Sequence, residues 1–162
     1  MPKVKTKCHI CYTINKSENP PEYCKSCGAD LINSEYETVQ KSTVYTENYT
    51  GNSGWCGSLI LTNRRLIFVM VNQIDKVVGG AMGGIINTVK NIVDTENFIS
   101  ARGDRLNMSL LPGTIQSVEI GESKLFKHTL LIQGKDGIQY ELEVPKKEKE
   151  EWKEAIIQFN AQ

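Results

Sequence analysis

Two apolar runs, Leu59-Ile60-Leu61 and Leu66 through Met70, flank the polar break Thr62-Asn63-Arg64-Arg65 in the stretch GSLILTNRRLIFVM. β-branched and aromatic residues on both sides of a short Asn-containing break predict a β-hairpin, with strands over 55–62 and 65–72. Neither run alternates with polar residues. Both faces of the hairpin therefore need cover, which places it centrally in a larger sheet. A Thr-, Val- and Tyr-rich segment over 37–46 predicts a preceding strand, followed by the loop ENYTGNSG.

Downstream, Leu106, Met108 and Leu110 alternate with polar neighbours, and Pro112-Gly113 ends that run. Strands are expected over 115–120, 126–133 and 138–144, with a turn over 121–124. Gly134-Lys135-Asp136-Gly137 forms the hairpin turn between the last two. Ile138, Tyr140, Leu142 and Val144 oppose Gln139, Glu141 and Glu143, so the last strand has one wet face. After Pro145 the spacing of Trp152, Ala155, Ile156 and Phe159 predicts a helix over 146–161 whose apolar stripe plugs the sheet. The expected fold is mainly β: about seven antiparallel strands in a partly open barrel, capped by a C-terminal helix.

The segment 77–97 has a different pattern. Val77, Val78, Met82, Ile85, Ile86 and Val89 recur at helical spacing, opposite a face of glycines and small polar residues. Gly79, Gly80, Gly83 and Gly84 cost such a helix roughly 3–4 kcal/mol in propensity, so something external must stabilise it. Three supports stand open: its own domain or a protein partner, a second copy through the G-xxx-G pairs in a homodimer, or a membrane surface.

The remaining chemistry lies at the N-terminus. Cys8 and Cys11 form one C-x2-C pair and Cys24 and Cys27 a second, twelve residues apart. Two facing turns of this kind supply four thiolates in a tetrahedron, the closed site that a structural zinc ion prefers. About thirty residues bury too little apolar surface to fold unaided. One zinc ion would provide most of the folding free energy of residues 1–33, on the order of 10 kcal/mol. His9 is expected to be exposed on the first knuckle, and Cys56 to be a small core residue. Arg64 and Arg65 at the hairpin end are candidate anion contacts. The segment CxxC-x12-CKSCGADL resembles the short zinc ribbons at the ends of many bacterial and archaeal proteins, which contact proteins or nucleic acids.

Charge narrows the partners. Lys+Arg and Asp+Glu balance at 19 each in 162 residues. No global field recruits nucleic acid, and the five lysines of residues 1–33, with few aromatics beside them, leave nucleic-acid contact by the ribbon a weak second alternative. The terminus MPKVKTKC lacks an apolar core segment and no run is long enough to span a bilayer, so a cytoplasmic protein, peripheral at the membrane, is expected. No nucleophile–His combination or phosphate-cradling glycine motif is present, and GGAMGG lacks the Lys and Ser/Thr of a P-loop. No enzyme is expected.

Taken together, G-x-L-x-LTNRRLIFV, the I-x-x-V of Ile115 and Val118, the DG hairpin and the Trp-containing terminal helix resemble the PH/GRAM superfamily. The variety most similar is the bacterial and archaeal PH-like domain coupled to a zinc ribbon. The division is then a ribbon over 1–33 and a PH-like domain over 34–162 that carries the helical insert 77–97. The resemblance implies a non-catalytic adaptor. Its PH-like domain would dock on a lipid or membrane surface, and its ribbon would contact a protein partner. Phosphoinositide-binding PH domains place Lys and Arg in the first inter-strand loop, whereas ENYTGNSG has none and carries Glu47. Apolar insertion of 77–97 is the membrane mode expected instead. GLUE domains of the ESCRT system share a PH-like fold and bind ubiquitin, which implies a pure protein-interaction module as the alternative.

Overall fold

The computed structural model describes residues 1–49, 54–74, 105–124 and 127–162. The insert 77–97, with Val77, Val78, Met82, Ile85, Ile86 and Val89, lies outside the described residues, as does the expected G-xxx-G contact.

A short antiparallel pair opens the chain: β1 (Val4–Lys7) against β2 (Ile14–Ser17), in register Val4↔Ser17 to Lys7↔Ile14. After a 3-10 turn at Ser34–Tyr36 come β3 (Val39–Asn48), β4 (Gly54–Thr62), β5 (Leu66–Ile74) and β6 (Leu106–Leu110), an antiparallel meander. β7 (Ile115–Lys124), β8 (Lys127–Gly134) and β9 (Gln139–Pro145) form a second meander. β9 then joins β3 through Glu47↔Glu143 and Asn48↔Leu142. Among the described residues this makes one seven-stranded sheet, ordered β6-β5-β4-β3-β9-β8-β7. One 3-10 turn at Lys146–Glu148 leads into α1 (Lys149–Asn160).

The sheet curls into a half-barrel, because residues from both of its ends share one core with the helix. Leu59, Leu61, Leu66 and Phe68 from the first meander pack with Ile115, Leu130, Ile132 and Leu142 from the second. Trp152, Ile156 and Phe159 fill the concave side, all at 1% exposure or less. Asn160 fastens the far end of the helix to β7. Its amide donates to the Ile115 carbonyl at 2.9 Å and its side-chain oxygen accepts from Ile115 N–H at 3.1 Å.

Two expectations change. The turn expected over 121–124 is strand: β7 runs on to Lys124, paired Ser123↔His128 and Lys124↔Lys127, after a register shift following Ile120. Backbone pairing carries it there without an apolar pattern to announce it. The helix begins later than Pro145 suggests, since its first turn is 3-10 and the α-helical residues start at Lys149.

The other face of β4 and β5 is covered as well. Ile60, Ile67 and Val69 belong to a second core with Cys8, Ile10, Cys24, Cys27 and Ala29. Residues 1–33 therefore lie on the convex side of the hairpin, which accounts for its two apolar faces. The strands approach closely enough here that Gly57, at a bulge between β4 and β5, has no room for a Cβ, which would run into the Val69 carbonyl oxygen.

Candidate metal centre

The two C-x2-C turns are built alike. In the first, Cys8 N–H donates to the Thr13 carbonyl at 2.9 Å and Tyr12 N–H to the Cys8 carbonyl at 3.1 Å. In the second, Cys24 N–H donates to the Ala29 carbonyl at 2.8 Å and Gly28 N–H to the Cys24 carbonyl at 2.7 Å. The residue after each second cysteine takes the left-handed conformation, Tyr12 at φ 61° and Gly28 at φ 72°. Glycine adopts it freely, whereas tyrosine carries a local cost of about 1–2 kcal/mol.

These turns bring four sulfurs together. Cys8 Sγ is 3.7 Å from Cys27 Sγ, and Cys11 Sγ is 3.6 Å from Cys24 Sγ. All four lie within 4.8 Å of one another. A tetrahedron with metal–sulfur bonds of about 2.3 Å has edges of about 3.8 Å, so the spacing fits a single ion. It is far from the roughly 2 Å of a disulfide. The thiol chemistry agrees. Hydrogen bonding with Cys11 lowers Cys8 to about 7 and holds Cys24 well below the ordinary thiol value. Cys11, facing Cys24, and Cys27, facing Cys11, are pushed well above it. So many sulfurs cannot all be anionic at this distance unless a cation takes the place of the protons they share. The cluster fits a zinc ribbon and could hold a metal ion.

Around the sulfurs lies a shell of polar groups. Ile10 N–H points at Cys8 Sγ at 3.4 Å, and Thr13 Oγ1 is 3.3 Å from Cys11 Sγ. Asn15, 3% exposed, joins both turns. Its amide lies 3.6 Å from Cys24 Sγ and donates to the Thr13 carbonyl at 3.2 Å, while its oxygen accepts from Lys25 N–H at 3.0 Å. Such partners orient ligands and tune the centre.

The ribbon is joined to the sheet through the polar turn of the β4–β5 hairpin. Arg65 makes a bidentate pair with Glu37, Nε to Oε1 at 2.7 Å and Nη2 to Oε2 at 3.1 Å. Thr62 donates its hydroxyl to Glu37 Oε1 at 2.8 Å and accepts from the Arg64 and Arg65 N–H groups. Asn63 Oδ1 accepts from Thr38 N–H at 2.8 Å. His9 Nε2 lies 3.1 Å from the Glu37 carbonyl, and Arg105 N–H donates to the Ser26 carbonyl at 3.1 Å. Burial opposes the Arg65 charge, but the paired Glu37 carboxylate, and then the negative charge of Cys27, leave its pKa raised.

The structure thus brings Cys8, Cys11, Cys24 and Cys27 to one point. Arg65 faces inward to Glu37, and Arg64 stacks on the Tyr36 ring, 3.4 Å from its centroid. Cys56 is buried in β4. His9 corrects the expectation of an exposed knuckle residue, being half-buried against Glu37. Sequence reasoning missed Asn15 and Glu37. Neither lies in a motif, and Glu37 acts through partners 25 and 28 residues away.

No protein-family model, no curated protein and no solved structure matches this chain. Among the described residues no helix is long and apolar enough to cross a membrane.

Proposed function

We propose that this chain is a non-catalytic adaptor, a zinc-stapled ribbon and a PH-like half-barrel that act by presenting surfaces. The carrying observation is how the ribbon uses its two sides. Its inner side is buried on Ile60, Ile67 and Val69, and its thiolates are directed at one another. Its outer side exposes Tyr12 (57%), Ile14 (52%) and Ile32 (66%). Apolar groups held out by a rigid metal-braced scaffold suit a protein partner. A closed tetrathiolate leaves no open position for catalysis, and soft thiolate ligands in this geometry favour zinc. A four-strand and a three-strand meander closed by a terminal helix support the PH-like reading.

Two experiments test this. Elemental analysis of the purified chain should give one zinc per chain. Ile14→Ser/Ile32→Ser should lose the proteins that immobilised wild type captures, and equal capture removes the ribbon face as the contact. A second reading, membrane docking, rests on the apolar stripe of 77–97. Co-sedimentation with anionic and zwitterionic vesicles should separate wild type from Met82→Asp/Ile86→Asp. Equal binding of the two proteins would sink that reading.

A further inference from the structure

Two exposed faces of this chain carry opposite charge. On the outer side of the ribbon, Lys5 stands directly opposite Lys16 across β1 and β2, and Lys7 opposite Ile14. All four are exposed, whereas the alternate position Asn15 turns inward. Lys7 Nζ lies over the Tyr12 ring, 5.3 Å from its centroid. Like charges directly opposed on a sheet are unfavourable, and an anionic partner offsets that cost. The second face is the convex side of β7, β8 and β9. The core beneath the ribbon includes residues of β4 and β5 and none of these three strands. Glu119, Leu131 and Glu141 stand there in one cross-strand row. Leu130 and Leu142 beside them lie in the concave core, so the row points the other way. Both glutamates are exposed and Leu131 is half-buried. With neighbouring strands about 4.8 Å apart, the glutamates sit about 10 Å from one another, astride the leucine. The same segregation runs along the chain, where residues 1–33 hold five lysines against three carboxylates although all charges balance.

We propose that the ribbon of one copy docks on the β7–β8–β9 face of a second copy, Ile14 against Leu131 and the lysines reaching the glutamates on either side. The inference rests on the reading of the ribbon's outer face as a protein contact, and it names the partner as this same chain. An apolar residue set among lysines calls for an apolar residue set between carboxylates, and the row Glu119, Leu131 and Glu141 supplies one. Each copy carries both faces, so two copies can make the contact twice and close on each other. Charges of this kind steer the encounter and fix its register more than they strengthen it.

The test is analytical ultracentrifugation of the full chain, loaded with zinc, over a concentration series. Wild type should associate at low salt and bind itself about 10-fold more weakly near 1 M salt, where the screening length falls to about 3 Å. Lys5→Glu/Lys16→Glu and Glu119→Lys/Glu141→Lys should each stay monomeric where wild type associates, because each sets like charges face to face. Mixed in equal amounts, these two variants should associate again, since each then meets its complement. Glu150→Lys/Glu154→Lys, an equal change in net charge on exposed residues of α1, should associate as wild type does. All the substituted positions are exposed, and unchanged thermal melts verify that the fold is kept. A monomeric wild type overturns the proposal, as do charge-reversed variants that associate like wild type or a mixture that stays apart. Monomeric wild type whose captured proteins are still lost on Ile14→Ser/Ile32→Ser overturns this inference alone and gives the ribbon face to a different protein. Equal capture by that variant overturns the ribbon contact and this inference with it.

Discussion

Stripping the metal should destabilise the whole sheet. Without the ion the ribbon lacks the apolar surface to stay folded, and the convex face of β4 and β5 loses its cover. Three side chains are then released to water: Ile60, Ile67 and Val69, now 2%, 0% and 5% exposed. At about 1.5–3 kcal/mol for each fully buried aliphatic side chain, their exposure costs about 4–9 kcal/mol, an upper range because unfolded chains retain some burial. Small domains are stable by about 5–15 kcal/mol in all, so this loss decides whether the sheet stays folded. The assay is urea unfolding followed by tryptophan fluorescence, with and without a strong chelator under reducing conditions. Trp152 lies in the core on the opposite face from the ribbon and reports on the half-barrel itself. The expected result is a single transition whose midpoint falls sharply on chelation. A midpoint that chelator leaves unmoved would refute the reasoning, since the ribbon would then be a passenger on a self-sufficient sheet.

Three further outcomes are expected. Gly28→Ala, at φ 72°, should cost about 1–2 kcal/mol in the metal-loaded protein, whereas Tyr12→Gly, at φ 61°, should stay within about 1 kcal/mol of wild type; thermal melts of both variants compare the knuckles. Trp152→Ala should cost about 3–5 kcal/mol in urea unfolding, because the ring is fully buried among residues of both meanders and has no room to collapse. The pH dependence should carry a contribution from His128. Desolvation, with Lys149 and Lys146 nearby, holds its pKa below the ordinary value, and its Nε2 is buried without a hydrogen-bond partner among the described residues. The unfolded chain therefore binds the proton more readily. This contribution is present above about pH 6.5 and is lost as pH falls through the folded value. Melts from pH 7.5 to 5 should show a shallower decline for His128→Gln than for wild type, and parallel declines would refute the assignment.

Local chemistry was readable where it repeats at short range. The two C-x2-C pairs announce the sulfur cluster, the alternation of Tyr140, Leu142 and Val144 announces β9, and the stripe Trp152, Ala155, Ile156 and Phe159 announces the capping helix. The runs of β4 and β5 also signalled cover on two faces. What they could not signal was which segment provides it, because Ile67 shares its core with cysteines forty or more residues earlier in the chain. Arg65 illustrates the same limit. In sequence it is one of two basic residues in a turn, which suggests solvent or an anion. Its role depends on Glu37, twenty-eight positions earlier, whose carboxylate takes both arms of its guanidinium.

The hairpin's two-sided cover also bears on alignment. Where one face is wet, a strand that slips by a single position exposes its apolar set, and the error is self-correcting. A strand greasy on both sides has no such safeguard, for a slipped β4 would still bury Leu59, Ile60 and Leu61 somewhere. The polar corner must then act as the index mark. Thr62 gripping Glu37, Asn63 holding Thr38 and Arg65 closing on Glu37 can all be satisfied together in one alignment.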